Sequence, residues 1–172
     1  MRRRWQWLAG ASTALALTVG AQPAFADTSV VRASGRLTDL SASSNPTDGA
    51  RARVVAVARG DGTTQFVFVV TGLARSAKGK TLGAHVHVGP CVPGNGAAAG
   101  PHFNTGDGGP PSPQNEVWLD FTIRSGGVGI ARTVAPFEIP PGGARSIVIH
   151  AQPTQEGTGL AGARLACLPV TF

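Results

Sequence analysis

Residues 51–73 read RARVVAVARGDGTTQFVFVVTGL. Positions 51–59 alternate charged or small side chains with valine, and positions 65–73 concentrate β-branched and aromatic residues. A two-residue alternation belongs to a strand with one covered face, and a short apolar run between turn residues belongs to a buried strand. The same reading extends outward to residues 30–37, 82–88, 116–124, 130–139, 146–151 and 164–172. That makes eight strands, with no 3.6-residue periodicity and no internal repeat. The 24 glycines and 13 prolines fall at the strand boundaries rather than at random. This distribution predicts an all-β sandwich or barrel. Residues 104–115 (NTGDGGPPSPQN) read as a loop.

The first residues follow a different logic. Arg2, Arg3 and Arg4 precede an apolar stretch at 8–21, and Ala24 and Ala26 bracket Phe25. This is the pattern of a secretory signal cleaved before Asp27. The apolar run is short for a bilayer span of ~20 residues, and no cysteine near the cleavage point offers a lipid anchor. The division predicted is a leader over 1–26 and one domain over 27–172, exported and with no stable membrane insertion. Removing residues 1–26 from the 172 leaves 146, enough for one real core. The leader holds three of the 15 basic residues and no acid. The remainder has 12 basic against nine acidic groups, a net charge of +3. No Lys/Arg block with interleaved aromatics is present, which argues against nucleic-acid binding. A mild positive charge suits small anions.

The chain has four histidines and two cysteines. His85 and His87 form an H-x-H on an expected strand, so both rings point to one face. His102 follows a Gly-Pro turn, and His150 ends the run Ser146-Ile147-Val148-Ile149. Each of the last two, taken singly, reads more readily as an ordinary core or surface histidine. Together, four imidazoles without clustered thiols or carboxylates suit copper, zinc, iron or nickel, and an all-nitrogen tetragonal set favours Cu(II). Cys91 and Cys167 either pair or stay as separate buried thiols; an oxidising compartment favours the pair.

Three segments carry a resemblance. Gly83-Ala84-His85-Val86-His87, Ala99-Gly100-Pro101-His102-Phe103-Asn104, and Ser146 to His150 followed by Gly162-Ala163-Arg164-Leu165-Ala166-Cys167 are similar, in the same order, to motifs of the copper/zinc superoxide dismutases. The resemblance implies an eight-stranded Greek-key β-sandwich or barrel. It implies one copper per chain on His85, His87, His102 and His150, with Nδ1 of His85 and Nε2 of the other three toward the metal. It makes Arg164 the residue that binds and orients superoxide, and it pairs Cys91 with Cys167. The activity implied is disproportionation of superoxide to oxygen and hydrogen peroxide by a copper-dependent oxidoreductase.

The chain departs from that family in two places. The zinc site of the family needs two further histidines, and this chain has none. Asp107, in Asp107-Gly108-Gly109-Pro110, stands near one former ligand position. Glu116 and Asp120 are the other nearby acids, and on a strand reading they face solvent or cap a turn. Zinc on His102 plus carboxylates is the weaker alternative, because structural zinc sites rely on Cys and His. The second departure is the short segment 151–163 (AQPTQEGTGLAGA), whose one charge is Glu156. It offers no counterpart of the aspartate that links the two metal sites in the family. The chain therefore resembles the copper-only branch, with a more open site. The second nitrogen of His102 then needs a carboxylate, a carbonyl or water, and Asp107 and Glu116 are the candidates. Competing readings are a secreted copper-binding or buffering protein with little turnover, and a sandwich kept as a structural module.

Overall fold

The computed structural model describes residues 29–172. The predicted leader lies outside the described residues. Two four-stranded antiparallel sheets face each other. The first has the order β1 (Val30–Arg36), β3 (Arg51–Ala58), β4 (Thr64–Thr71) and β8 (Val128–Ala135). The second has the order β2 (Thr38–Asp39), β10 (Arg164–Pro169), β9 (Ser146–His150) and β6 (Ala84–His87). A small ribbon pairs β5 (Thr81–Leu82) with β7 (Phe121–Thr122). The chain leaves the first sheet after β4, enters the second at β6, and returns to pair β8 with β4. This is the Greek-key sandwich the sequence predicts. Among the described residues no helix is long and apolar enough to cross a membrane.

The opening stretch behaves as its alternation dictates. Ala52, Val54, Ala56 and Ala58 of β3 point inward, as do Phe66, Phe68 and Val70 of β4. All of these but Ala58 meet Ile147, Ile149 and Leu168 of the second sheet in one core. Burial of the valine, isoleucine, leucine and phenylalanine side chains among them contributes about 1.5–3 kcal/mol each.

Two predicted strands are interrupted, each for a visible reason. The run over 82–88 breaks at Gly83. A side chain there would stand 2.8 Å from Ala161 Cβ and 2.8 Å from the carbonyl of Gln152. The segment 151–163 thus lies directly on the backbone two residues before His85, and Gly83 N–H donates to the Gln152 carbonyl at 2.8 Å. The run over 116–124 keeps its phase: Val117, Leu119, Phe121 and Ile123 are all buried in the core. Its ladder, however, is reduced to bridges at Glu116, Trp118 and Arg124 flanking β7.

Cys91 and Cys167 form a disulfide across 76 residues, with Cα atoms 5.7 Å apart. It ties the loop after β6 to β10. Beneath it sits a second apolar cluster of Leu40, Ala99, Val148 and Cys167.

Candidate metal centre

All four residues of β6 are buried, although the strand reads Ala-His-Val-His. Ala84 and Val86 pack into the core. By alternation His85 and His87 lie on the opposite face of the second sheet. On the adjacent strand, Val148 stands opposite His85 and Ser146 opposite His87, so His150 falls on that same face. Antiparallel bridges bring His102 beside His87 and Trp118 beside His85. The segments around 102–118 and 151–163 cover this face.

The four rings converge. One nitrogen from each lies within 4.8 Å of one from every other. Ring centres are 4.0 Å apart for His85 and His102 and 6.4 Å apart for His85 and His87, with the remaining pairs between. His87 Nε2 stands 3.3 Å from His150 Nε2. Two buried imidazole nitrogens so placed need a proton or a metal between them to avoid opposing lone pairs.

The outer nitrogens fix the tautomers. His87 Nδ1–H donates to the Gly100 carbonyl at 3.1 Å and His150 Nδ1–H to the Gly162 carbonyl at 3.2 Å. Glu116 Oε2 accepts from His102 Nδ1 at 2.8 Å and from Trp118 Nε1 at 2.9 Å. These bonds leave Nε2 of His87, His102 and His150 as the lone-pair nitrogens. His85 is held the other way round. The Thr154 hydroxyl donates to Asp120 Oδ1 at 2.6 Å, so its oxygen must accept from His85 Nε2–H at 2.7 Å. His85 Nδ1 is then a buried acceptor, and it has no hydrogen-bond partner. An unmet buried polar atom costs about 1–3 kcal/mol, and a cation among the four rings would satisfy it.

Electrostatics favour neutral rings at His85, His87 and His150. Burial, then the neighbouring rings and Arg164, push His85 far below the imidazole range. Burial takes His87 from 6.5 to about 3 and His150 from 6.5 to about 4. Burial alone would raise the Glu116 pKa, but the hydrogen bonds from His102 and Trp118 hold it below the usual value. These shifts set a pH dependence. In the metal-free protein the unfolded chain binds protons first as pH falls through 6.5, so the contribution of the neutral rings is full above that pH. It is lost progressively as pH falls, to about 4 for His150 and about 3 for His87. Thermal unfolding of metal-free protein should show its midpoint dropping across that window. Metal-loaded protein should hold its midpoint until protons displace the ion. A flat metal-free profile from pH 7 to 4 would contradict the assignment.

Arg164 lines a pocket of about 380 Å³ together with His102, His150 and residues of the 151–163 segment. Its Nη1 donates to the Gly96 carbonyl at 2.7 Å, and no carboxylate pairs with it among the described residues. Gly159, at φ +66°, closes over the His102–Glu116 bond. A side chain there would press within 3.1 Å of Glu116 Oε2.

Of the two acids proposed for the second nitrogen of His102, Glu116 is at the site and Asp107 is apart. Asp107 is exposed and accepts from Asn115 Nδ2 and Gly109 N–H. Glu116 and Asp120, expected to face solvent or cap a turn, instead face the histidines. Sequence reasoning missed Thr154 and the carbonyls of Gly96, Gly100 and Gly162. Backbone acceptors carry no residue-type signal. Thr154 and Asp120 are 34 residues apart and meet only through the fold.

No protein-family model and no curated protein sequence matches the chain. Solved structures do. The clock protein EA4 aligns at 17% identity and a TM-score of 0.59, over 83% of this chain and 92% of that one. A SOD-like protein from Bacillus subtilis, in a double mutant replacing a tyrosine and a proline by histidine, aligns at 19% identity and a TM-score of 0.53. That match spans 82% of this chain and 95% of the other. At these identities the likeness establishes a shared β-sandwich fold.

Proposed function

We propose that the four-histidine centre holds one copper ion and that the exported chain disproportionates superoxide. The observation that carries this reading is the donor set: four converged imidazoles, each with its outer nitrogen engaged, one inner nitrogen orphaned, and on the adjoining pocket an arginine with no carboxylate partner among the described residues. The residues fit copper in number and type, since imidazole nitrogen without thiolate or carboxylate suits Cu(II). His85 would bind through Nδ1 and the other three through Nε2. Bound copper would supply one-electron redox chemistry, so that one superoxide is oxidised to oxygen and a second, taking two protons, is reduced to hydrogen peroxide.

The chain supplies the rest. Arg164 keeps its positive charge at any working pH and still has donors beyond the one given to Gly96. It draws a small anion into the pocket and orients it beside His102 and His150. Glu116 keeps the proton of His102 on Nδ1 in the place where the zinc-containing relatives would set a second metal. With that nitrogen engaged at 2.8 Å, zinc on His102 would first have to displace the hydrogen bond. The Cys91–Cys167 bond accords with export to an oxidising compartment.

A copper-holding protein without turnover is the second reading. It is favoured by one observation: Arg164 already anchors the Gly96 loop. Copper-loaded Arg164→Ala separates the two. Enzyme function predicts a superoxide decay rate at least about tenfold lower, with copper affinity unchanged. Decay that is negligible in both proteins would leave only the copper-holding role.

A further inference from the structure

The chain has four asparagines: Asn45, Asn95, Asn104 and Asn115. The backbone nitrogen that follows an asparagine can attack its side-chain carbonyl carbon, provided that the nitrogen is unengaged and unhindered. The fold closes this route at three of the four. Asn45 precedes Pro46, which has no N–H. After Asn104, the Thr105 N–H donates to the Asn115 carbonyl at 3.0 Å, and after Asn115 the Glu116 N–H donates to the Ser112 carbonyl at 2.9 Å. The side chains of these last two are tethered as well. Asn115 Nδ2 donates to Asp107 Oδ1 and to the Pro110 carbonyl, each at 3.1 Å, and Asn104 Nδ2 donates to Glu116 Oε1 at 3.5 Å.

Asn95 is different in each respect. It is exposed, and the residue after it is Gly96, whose lack of a Cβ leaves the nitrogen uncrowded. Among the described residues the Gly96 N–H has no hydrogen-bond partner. The electrophile is also prepared. Asn95 Oδ1 accepts from the Ala98 N–H at 3.2 Å, and a donor aimed at a carbonyl oxygen stabilises the negative charge that builds there on addition. The place matters too. The Gly96 carbonyl accepts from Arg164 Nη1 at 2.7 Å, and a Cβ on Gly96 would stand 3.2 Å from Arg164 Cβ. The reactive pair therefore sits on the loop that holds the arginine of the metal pocket.

We infer that Asn95 is a self-modification site whose conversion draws Arg164 away from incoming anions. The Gly96 nitrogen bonds to Asn95 Cγ and gives up its proton, the Cγ–Nδ2 bond breaks, and ammonia leaves with that proton. Water then opens the cyclic imide at either carbonyl, and no electrons are exchanged. One opening leaves aspartate at position 95; the other leaves isoaspartate, with one more carbon in the main chain. Both products carry a new carboxylate one residue from the carbonyl that holds Arg164, which is charged at any working pH. The isoaspartyl product also displaces that carbonyl. The effect on anions rests on the copper reading; the conversion itself does not.

The test ages purified protein, metal-free and copper-loaded, in mildly alkaline buffer beside a reduced, urea-unfolded sample. Trypsin releases residues 81–124 as one fragment between Lys80 and Arg124, carrying Asn95, Asn104 and Asn115 together. Tandem mass spectrometry should find conversion at Asn95 and none at the other two, with isoaspartate detected by methyltransferase labelling. Azide affinity of the copper-loaded protein, read by absorbance, should fall in proportion to the fraction converted, at unchanged copper content. Asn95→Asp, made directly, should bind azide at least about twofold more weakly. Aged Asn95→Ser should keep the parent's azide affinity, since serine retains the cap on Ala98. The peptide map and the azide affinity stay decisive in a chain that holds copper without turnover. Asn95 left intact in the folded protein when the unfolded sample has converted would overturn the proposal. So would conversion at Asn104 or Asn115 as fast as at Asn95, or undiminished azide affinity in the converted protein.

Discussion

Replacing His85 by leucine is expected to lower copper affinity by more than about a hundredfold while leaving the metal-free fold within about 1 kcal/mol of its parent. The two halves of this result have different origins. In the metal-free protein His85 Nδ1 is a buried acceptor without a partner, a cost of about 1–3 kcal/mol. Leucine removes that cost and fills similar space. It also removes the bond to Thr154, worth about 1 kcal/mol, while Thr154 and Asp120 remain bonded to each other. These changes roughly offset. In the loaded protein, one of four ligands is gone. Loss of an outer hydrogen-bond partner alone typically costs 10–100-fold in metal affinity, and loss of a ligand costs more. Competition with a chromophoric copper chelator measures the first half, and urea unfolding with chelator present measures the second. A variant destabilised by 3 kcal/mol or more, with copper affinity intact, would make His85 a packing residue.

Removing the disulfide is the second large effect. In the double variant Cys91→Ala/Cys167→Ala, the denatured chain regains the freedom of a loop closed over 76 residues. Chain-entropy arguments put that at about 4–5 kcal/mol, and measured losses for such bonds run about 2–5 kcal/mol. The local packing loss adds to it, because Cys167 is fully buried beside Leu40, Ala99 and Val148. Denaturant unfolding should therefore show a stability drop of about 2–5 kcal/mol. The bond also reaches the site. It holds the loop whose Gly96 carbonyl accepts from Arg164. Superoxide decay per folded, copper-loaded molecule should fall as well, toward the rate of Arg164→Ala. Full decay in the folded double variant would show that Gly96 needs no tether.

The sequence was most legible where alternation met a covered face. The valine spacing of 51–59 and the apolar run of 65–73 dictated two adjacent strands of the first sheet, and they formed with Val54 opposite Phe68. The H-x-H at His85 and His87 set two rings on one side because the strand period is two. Glu116 and Asp120 show where such reasoning ends. Their phase was readable, since Val117, Leu119, Phe121 and Ile123 face the core. Their environment was not, because the sequence does not say that segments 102–118 and 151–163 fold over the opposite face and turn it into an interior.

The decisive experiment loads metal-depleted protein with copper and zinc together. It measures both metals per chain after removal of excess, and follows superoxide decay by stopped-flow absorbance with His85→Leu alongside. Expected are one copper and no bound zinc per chain, fast decay in the parent, and sharply reduced copper and decay in His85→Leu. Zinc retained in preference to copper, or decay that survives in His85→Leu, would contradict it.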